Sequence, residues 1–107
     1  MLSKNTVLII DDDLLNRTLL SKLLSDSYRT IEAGDGAAGL EVLENRSREI
    51  ACILLDLIMP VMDGYEFLRR VRIDPRFANI PVLVISSDED RDGEKRCFEL
   101  GAWDFIR

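Results

Sequence analysis

The sequence predicts an α/β domain built as a doubly wound, parallel, five-stranded sheet with helices on both faces. Two observations carry that expectation. Short apolar runs rich in β-branched residues alternate with longer segments of helical period, giving the order βαβαβαβαβ. Two of the runs, "IACILLD" and "IPVLVISS", are almost continuously apolar, which suits strands covered on both sides. Parallel neighbours need crossover connections, and those connections are right-handed.

The first strand is "TVLII", Thr6 to Ile10, by its Val and Ile content and its length. Leu15, Leu19 and Leu23, with Leu20 and Leu24 beside them, recur at spacings of three and four and predict a helix. "YRTIEA" reads as a weaker second strand, "AAGLEVLEN" as a short helix and "IACILLD" as the third strand. "GYEFLRRVR" is helical, with Tyr65, Leu68 and Arg72 on one side and Phe67 and Val71 on the apolar side. The fourth strand follows Pro81 in "IPVLVISS". "DEDRDGEKRCFELGA" is then a charged helix anchored chiefly by Cys97, Phe98 and Leu100, and its interior Gly93 weakens it by about 1 kcal/mol. "WDFIR" begins a fifth strand.

With 107 residues, 47% of them apolar and 32% charged, the chain is a single domain of globular composition without a linker. Its net charge of −6 weighs against direct nucleic-acid contact, because phosphate binding depends on Lys and Arg displacing counterions. The apolar run in "MLSKNTVLII" is too short for a signal-peptide core or a membrane span, so a cytoplasmic chain is expected. Its two cysteines lack metal-type spacing and read as free thiols, with Cys52 in the core and Cys97 among charges. The absence of His removes imidazole-based nucleophile activation and the His-bearing zinc motifs. Chemistry here falls to carboxylates, hydroxyls and a cation.

Asp11, Asp12 and Asp13 follow the first strand directly, and Asp56 ends the third. In open α/β sheets, ligands bind outside the carboxyl ends of the strands where strand order reverses. If the two strands are neighbours, four carboxylates meet in one crevice, and their repulsion calls for a hard divalent cation. Mg²⁺ fits best, since one or two protein carboxylates commonly hold it together with waters and phosphate oxygens. Alternatively Asp13 caps the next helix. Pro60 ends regular strand beyond Asp56, and Asp63-Gly64 marks a turn into the following helix. Ser86 brings a hydroxyl toward the same crevice, while Ser87 reads as an N-cap with Asp90 completing a capping box.

"LIIDDD", "LLDLIMPVMDG", "PVLVISS" and "GAWDFIR", in that order and spacing, resemble the receiver (phosphoacceptor) domain of two-component response regulators over essentially the whole chain. The resemblance implies a CheY-like, flavodoxin-like fold with strand order 2-1-3-4-5. It implies that Asp56 accepts a phosphoryl group from a histidine kinase or histidine phosphotransfer protein. Asp11, Asp12 and Asp56 would hold Mg²⁺ together with the backbone carbonyl of Ile58. Ser86 would bond the phosphorylated Asp56, and Phe105 would be the aromatic that moves inward with it. The implied role is phosphorelay signalling toward a downstream output domain or protein, with a homodimer as one assembly, and not an enzyme's. The charged helix and the strand from Trp103 to Ile106 are expected to form the output surface.

The pattern also departs from that family. There the last strand is followed by a phosphate-contacting lysine and by a helix packed beside the one from Leu15 to Leu24, whereas this sequence stops at Arg107. The expectation is a receiver domain spanning 1–107, truncated at its C-terminal end, with that helix missing from this chain. Each lost apolar anchor would forfeit about 1.5 to 3 kcal/mol. Trp103, where the family often has Asp, is expected to be exposed and to mark a contact surface. Two other functions fit parts of the pattern: a Mg²⁺-dependent phosphohydrolase with Asp11 as nucleophile and Asp13 two residues on, or a receiver-like binding module that is never phosphorylated. "GDGAAG" matches a dinucleotide-binding fingerprint, but Asp35 would set a carboxylate where pyrophosphate belongs. A glycine-rich turn into a helix is the simpler reading.

Overall fold

The chain alternates strand and helix: β1 Thr6–Ile10, α1 Leu14–Leu24, β2 Arg29–Ala33, α2 Gly36–Arg46, β3 Ile50–Leu55, α3 Gly64–Ile73, β4 Val82–Ile85, α4 Arg91–Glu99 and β5 Asp104–Ile106. A single 3-10 turn, Ser47–Glu49, precedes β3. The structure, a computed structural model, describes residues 4–57, 59, 61–86 and 91–106, without the side chains of 91 and 92. All strand pairings are parallel and the order is β2-β1-β3-β4-β5, as the resemblance implied. Among the described residues, no helix is long and apolar enough to cross a membrane.

Strand alternation divides the apolar residues between two layers. Leu8, Ile10, Ile53, Leu55, Val82 and Val84 face one side, where Leu43 of α2, Phe67, Leu68 and Val71 of α3 and Cys97 of α4 complete the main core. Val7, Ile9 and Leu54 form a smaller cluster on the other face, with Leu20 and Leu24 of α1 packed on it. Gly39 permits the close approach of α2. A Cβ there would lie 2.5 Å from Ile10 Cδ1 and 3.2 Å from the Phe67 ring, so the glycine in "GDGAAG" serves helix-on-sheet packing. Asp35 caps α2 by accepting from the Ala38 N–H at 2.8 Å, filling the helix start with a carboxylate.

The leucine stripe of α1 forms on the predicted helix but lies largely open: the helix has no buried residue, and Leu15, Leu19 and Leu23 are more than half exposed. Only its Leu20–Leu24 edge meets the sheet, and α1 is the one helix among the described residues that contributes to that smaller cluster. Leu68 belongs with Phe67 and Val71 in the buried set, because the face of α3 that meets the core is wider than the assigned stripe. Of the anchors expected for α4, Cys97 is fully buried but Phe98 is exposed, and Cys52, expected in the core, lies half-buried on the thinly covered face.

Burial raises both thiols above their ordinary range, that of Cys97 to about 11, with the nearby Arg96 opposing the rise. Because the thiolate is the reactive form, iodoacetamide at mildly alkaline pH is expected to label Cys52 slowly and Cys97 only after unfolding. Peptide mass mapping reads the order, and labelling of Cys97 first would contradict this packing of α4.

Candidate functional site

The site follows from the pairing of β1 with β3. Ile10 is in register with Leu55, so the next residue of each strand, Asp11 and Asp56, leaves the sheet at the same level. The ladder continues one step further: the Asp56 N–H donates to the Ile10 carbonyl at 2.9 Å, and the Asp11 N–H donates to the Ala33 carbonyl at 3.1 Å. Two carboxylates are thus delivered by backbone geometry, and Asp12 adds a third. One oxygen from each of Asp11, Asp12 and Asp56 lies within 4.8 Å of the others. Asp11 and Asp56 are half-buried and Asp12 is exposed.

Asp13 does not join them. Its Oδ1 accepts from the N–H groups of Leu15 at 2.9 Å and Asn16 at 3.4 Å, capping α1. The expected meeting of four carboxylates is therefore one of three, because the unpaired amides of the first helical turn compete for the fourth. That cap also engages the Asp13 carboxylate on which the phosphohydrolase reading depends.

Asp11 and Asp56 open into a cavity of 380 Å³ that is also lined by Asn16, Leu19, Leu20, Ile85 and Ser86. Ser86 is buried, and its N–H donates to the Ile106 carbonyl at 3.0 Å, so β5 positions it. Phe105 pairs in register with Val84 and packs, half-buried, against the main core, outside the set that lines the cavity. Ile58, Pro60, Ser87 and Asp90 lie outside the described residues. Trp103 is exposed, as expected, next to β5.

The turn from Asp56 into α3 is tightly constrained. Asp63 caps the helix by accepting from the Glu66 N–H at 2.9 Å. The Gly64 N–H donates to the Leu57 carbonyl at 2.8 Å. A Cβ on Gly64 would lie 2.7 Å from both the Asp56 carbonyl oxygen and Leu57 Cα, so only glycine fits without moving backbone. Val61 is 86% exposed and holds a φ of 67°, a left-handed conformation that a β-branched residue adopts at a cost.

Sequence reasoning passed over Asn16 and Arg17. Asn16 Nδ2 donates to Asp11 Oδ2 at 3.4 Å, and Arg17 Nη1 donates to the Asp11 carbonyl at 2.7 Å. The available signal was a cation near the start of α1, where the helix dipole disfavours it unless other groups hold it.

A parallel sheet of this order, carrying an acidic cluster where its first and third strands end, defines a class of doubly wound α/β domain with its site at the strand carboxyl ends, and comparison with known proteins identifies the family. Residues 7–107 match the response regulator receiver domain, and the chain belongs to that family of two-component signalling domains. It is 39% identical over 101 residues to the two-component response regulator ORR3 of rice, Oryza sativa subsp. japonica, covering 94% of this chain and 76% of the relative. Among solved structures, the Vibrio cholerae chemotaxis protein CheY4 superposes with a TM-score of 0.85 at 27% identity, over 97% of this chain and 86% of that one. The Mn²⁺-bound form of the response regulator Rcp1 superposes with a TM-score of 0.86 at 25% identity, over 95% and 79%.

Two substitutions test the turn. Gly64→Ala is expected to destabilise the domain by about 1 to 3 kcal/mol, the range for overpacking against fixed atoms. Val61→Asn, which accepts the left-handed conformation, is expected to stabilise it by about 1 kcal/mol. Urea unfolding measures both, and opposite signs would contradict the described path of this turn.

Proposed function

We propose that the chain is a phosphorylation-controlled signalling switch in which Asp56 takes a phosphoryl group from a phosphohistidine of a histidine kinase or phosphotransfer protein, assisted by Mg²⁺. The single observation that carries this reading is the gathering of Asp11, Asp12 and Asp56 at one cavity mouth. Three carboxylates form a hard, oxygen-only donor set at a spacing one small cation bridges after modest side-chain rotation, so the residues present fit Mg²⁺. Asp11, Asp12 and Asp56 would hold it, and the Mn²⁺-bound form of Rcp1 supports a divalent cation in this family. When bound, the ion offsets the negative charge of the carboxylates and of the phosphoryl oxygens.

The remaining work belongs to the chain itself. An oxygen of Asp56 forms the new O–P bond as the P–N bond of the donor breaks, and the electron pair departs with the imidazole nitrogen. Phosphoryl transfer asks for positioning and charge compensation more than for covalent helpers, so one well-placed carboxylate suffices. The Asp56 backbone is tied to β1 by its bond to Ile10, and Gly64 packs behind it, which keeps the acceptor at the mouth of the cavity. Ser86 lines the same cavity and offers a hydroxyl to the new phosphoryl oxygens. Ser86 and Ile106 share a backbone bond, so a shift at Ser86 passes to β5, where Phe105 packs on the core. The readout surface is that of α4 and β5, where Phe98, Trp103 and Ile106 are exposed.

The test is incubation of the chain with a small acyl phosphate and Mg²⁺, followed by peptide mass mapping. A single adduct on Asp56, suppressed by a chelator and absent in Asp56→Asn, is the expected outcome. An adduct on Asp11 would support the phosphohydrolase, and no adduct would support the binding module that is never phosphorylated.

A further inference from the structure

The geometry points to Arg17 as a positioning residue for the acidic cluster: by gripping the peptide that joins Asp11 to Asp12, it sets the aim of both carboxylates toward the cation. This inference rests on the metal-assisted reading of the site. The Arg17 side chain is only 17% exposed, and its guanidinium works in two directions. Nη1 donates at 2.7 Å to the carbonyl of Asp11, which is one half of the Asp11–Asp12 peptide group. Nε donates at 3.3 Å to Glu32 Oε1 on β2. Glu32 is itself steadied, since its Oε2 accepts from Ser21 Oγ at 3.3 Å and Ser21 shares a 3.0 Å hydrogen bond with Thr30. A polar chain thus runs from Thr30 and Glu32 on β2, through Ser21 and Arg17 on α1, to the loop that bears the acidic residues.

This bracing has a physical reason. Helix α1 has no buried residue to hold it rigidly to the sheet, and the loop it follows carries three consecutive negative charges. Other bonds also reach Asp11: its N–H donates to Ala33, and its carboxylate accepts from the Asp13 N–H at 2.9 Å and from Asn16 Nδ2. Of these bonds, that of Arg17 is the one made to the peptide group between Asp11 and Asp12, and rotation of that plane would swing the two carboxylates apart. Lysine is no equal replacement, because its donors sit on one nitrogen, whereas the guanidinium reaches Glu32 and the carbonyl from two nitrogens held in a fixed plane.

Positioning and simple charge predict opposite signs. A nearby positive charge repels a bound cation, so on Coulomb's law alone neutralising Arg17 would tighten Mg²⁺ binding. A positioning role predicts weaker binding. The experiment is calorimetric titration of Mg²⁺ into the chain and its variants, with thermal unfolding recorded alongside. Arg17→Met is expected to raise Kd about tenfold, in the range for groups that orient metal ligands. Arg17→Lys should stay weakened, and Glu32→Gln should show a smaller loss. Leu24→Ala, which loosens α1 on the sheet without touching Arg17, should lower the unfolding temperature and leave Kd unchanged.

A Kd for Arg17→Met equal to or below that of the unaltered chain overturns the inference, as does an equal loss in Leu24→Ala. If Arg17→Met does not fold, Arg17→Lys decides, because it keeps the charge and loses only the fork, and an unchanged Kd there overturns the inference. Failure of the unaltered chain to bind Mg²⁺ would overturn this inference and the metal-assisted function together, whereas an unchanged Arg17→Met in a chain that binds overturns this inference alone.

Discussion

Three negative side chains gathered within 4.8 Å of one another are the constraint on which the rest of this molecule depends. Two unit charges about 4 Å apart repel by about 1 kcal/mol in water and about 4 kcal/mol near a protein surface, a sizeable share of a small domain's margin of about 5 to 15 kcal/mol. The arrangement persists because the positions of Asp11 and Asp56 are set by backbone pairing and not by side-chain preference. β1 is buried along its whole length and pairs with both β2 and β3. Moving either aspartate away would mean slipping a central strand, which would turn buried residues such as Ile10 and Leu55 toward the wrong face.

The two faces of the sheet divide the labour. The layer built from α2, α3 and α4 packs around Phe67 and supplies most of the burial, so it acts as the rigid base against which Asp56 is set. The opposite face rests on α1 alone among the described elements, with two leucines on the sheet and polar contacts from Arg17, Ser21 and Glu32. The acidic cavity opens beside α1 at the strand ends, where Leu19 and Leu20 line it together with Ile85 and Ser86. A site so placed joins Asp56, tied by its backbone to β1, to a side wall, at Ser86, that is bonded to the last strand.

Much of this was legible in the sequence. The strands announced themselves by β-branched apolar runs, and the rule that ligands gather at strand carboxyl ends pointed to Asp11, Asp12, Asp13 and Asp56, one carboxylate too many. What was not legible came from competition between side chains. Asp13 reads like its neighbours, yet the open amides of α1 claim it. The α1 leucines have a buried helix's spacing, but periodicity shows which residues share a face and not what covers it. Phe98 reads as an anchor of α4 beside Cys97, yet the next position along a helix turns about 100° away, and it is exposed. Arg17 looks like a solvated helix residue until β2 brings Glu32 beside it, a contact across 15 positions that no local pattern records.

The central claim is that carboxylates from two separated loops share one cation, and paramagnetic relaxation tests it most directly. Substoichiometric Mn²⁺ added to the isotopically labelled chain should broaden amide resonances around Asp11, Asp12 and Asp56 together, and excess Mg²⁺ should restore them. Broadening confined to the Asp11–Asp13 loop, with the neighbourhood of Asp56 untouched, would contradict the account.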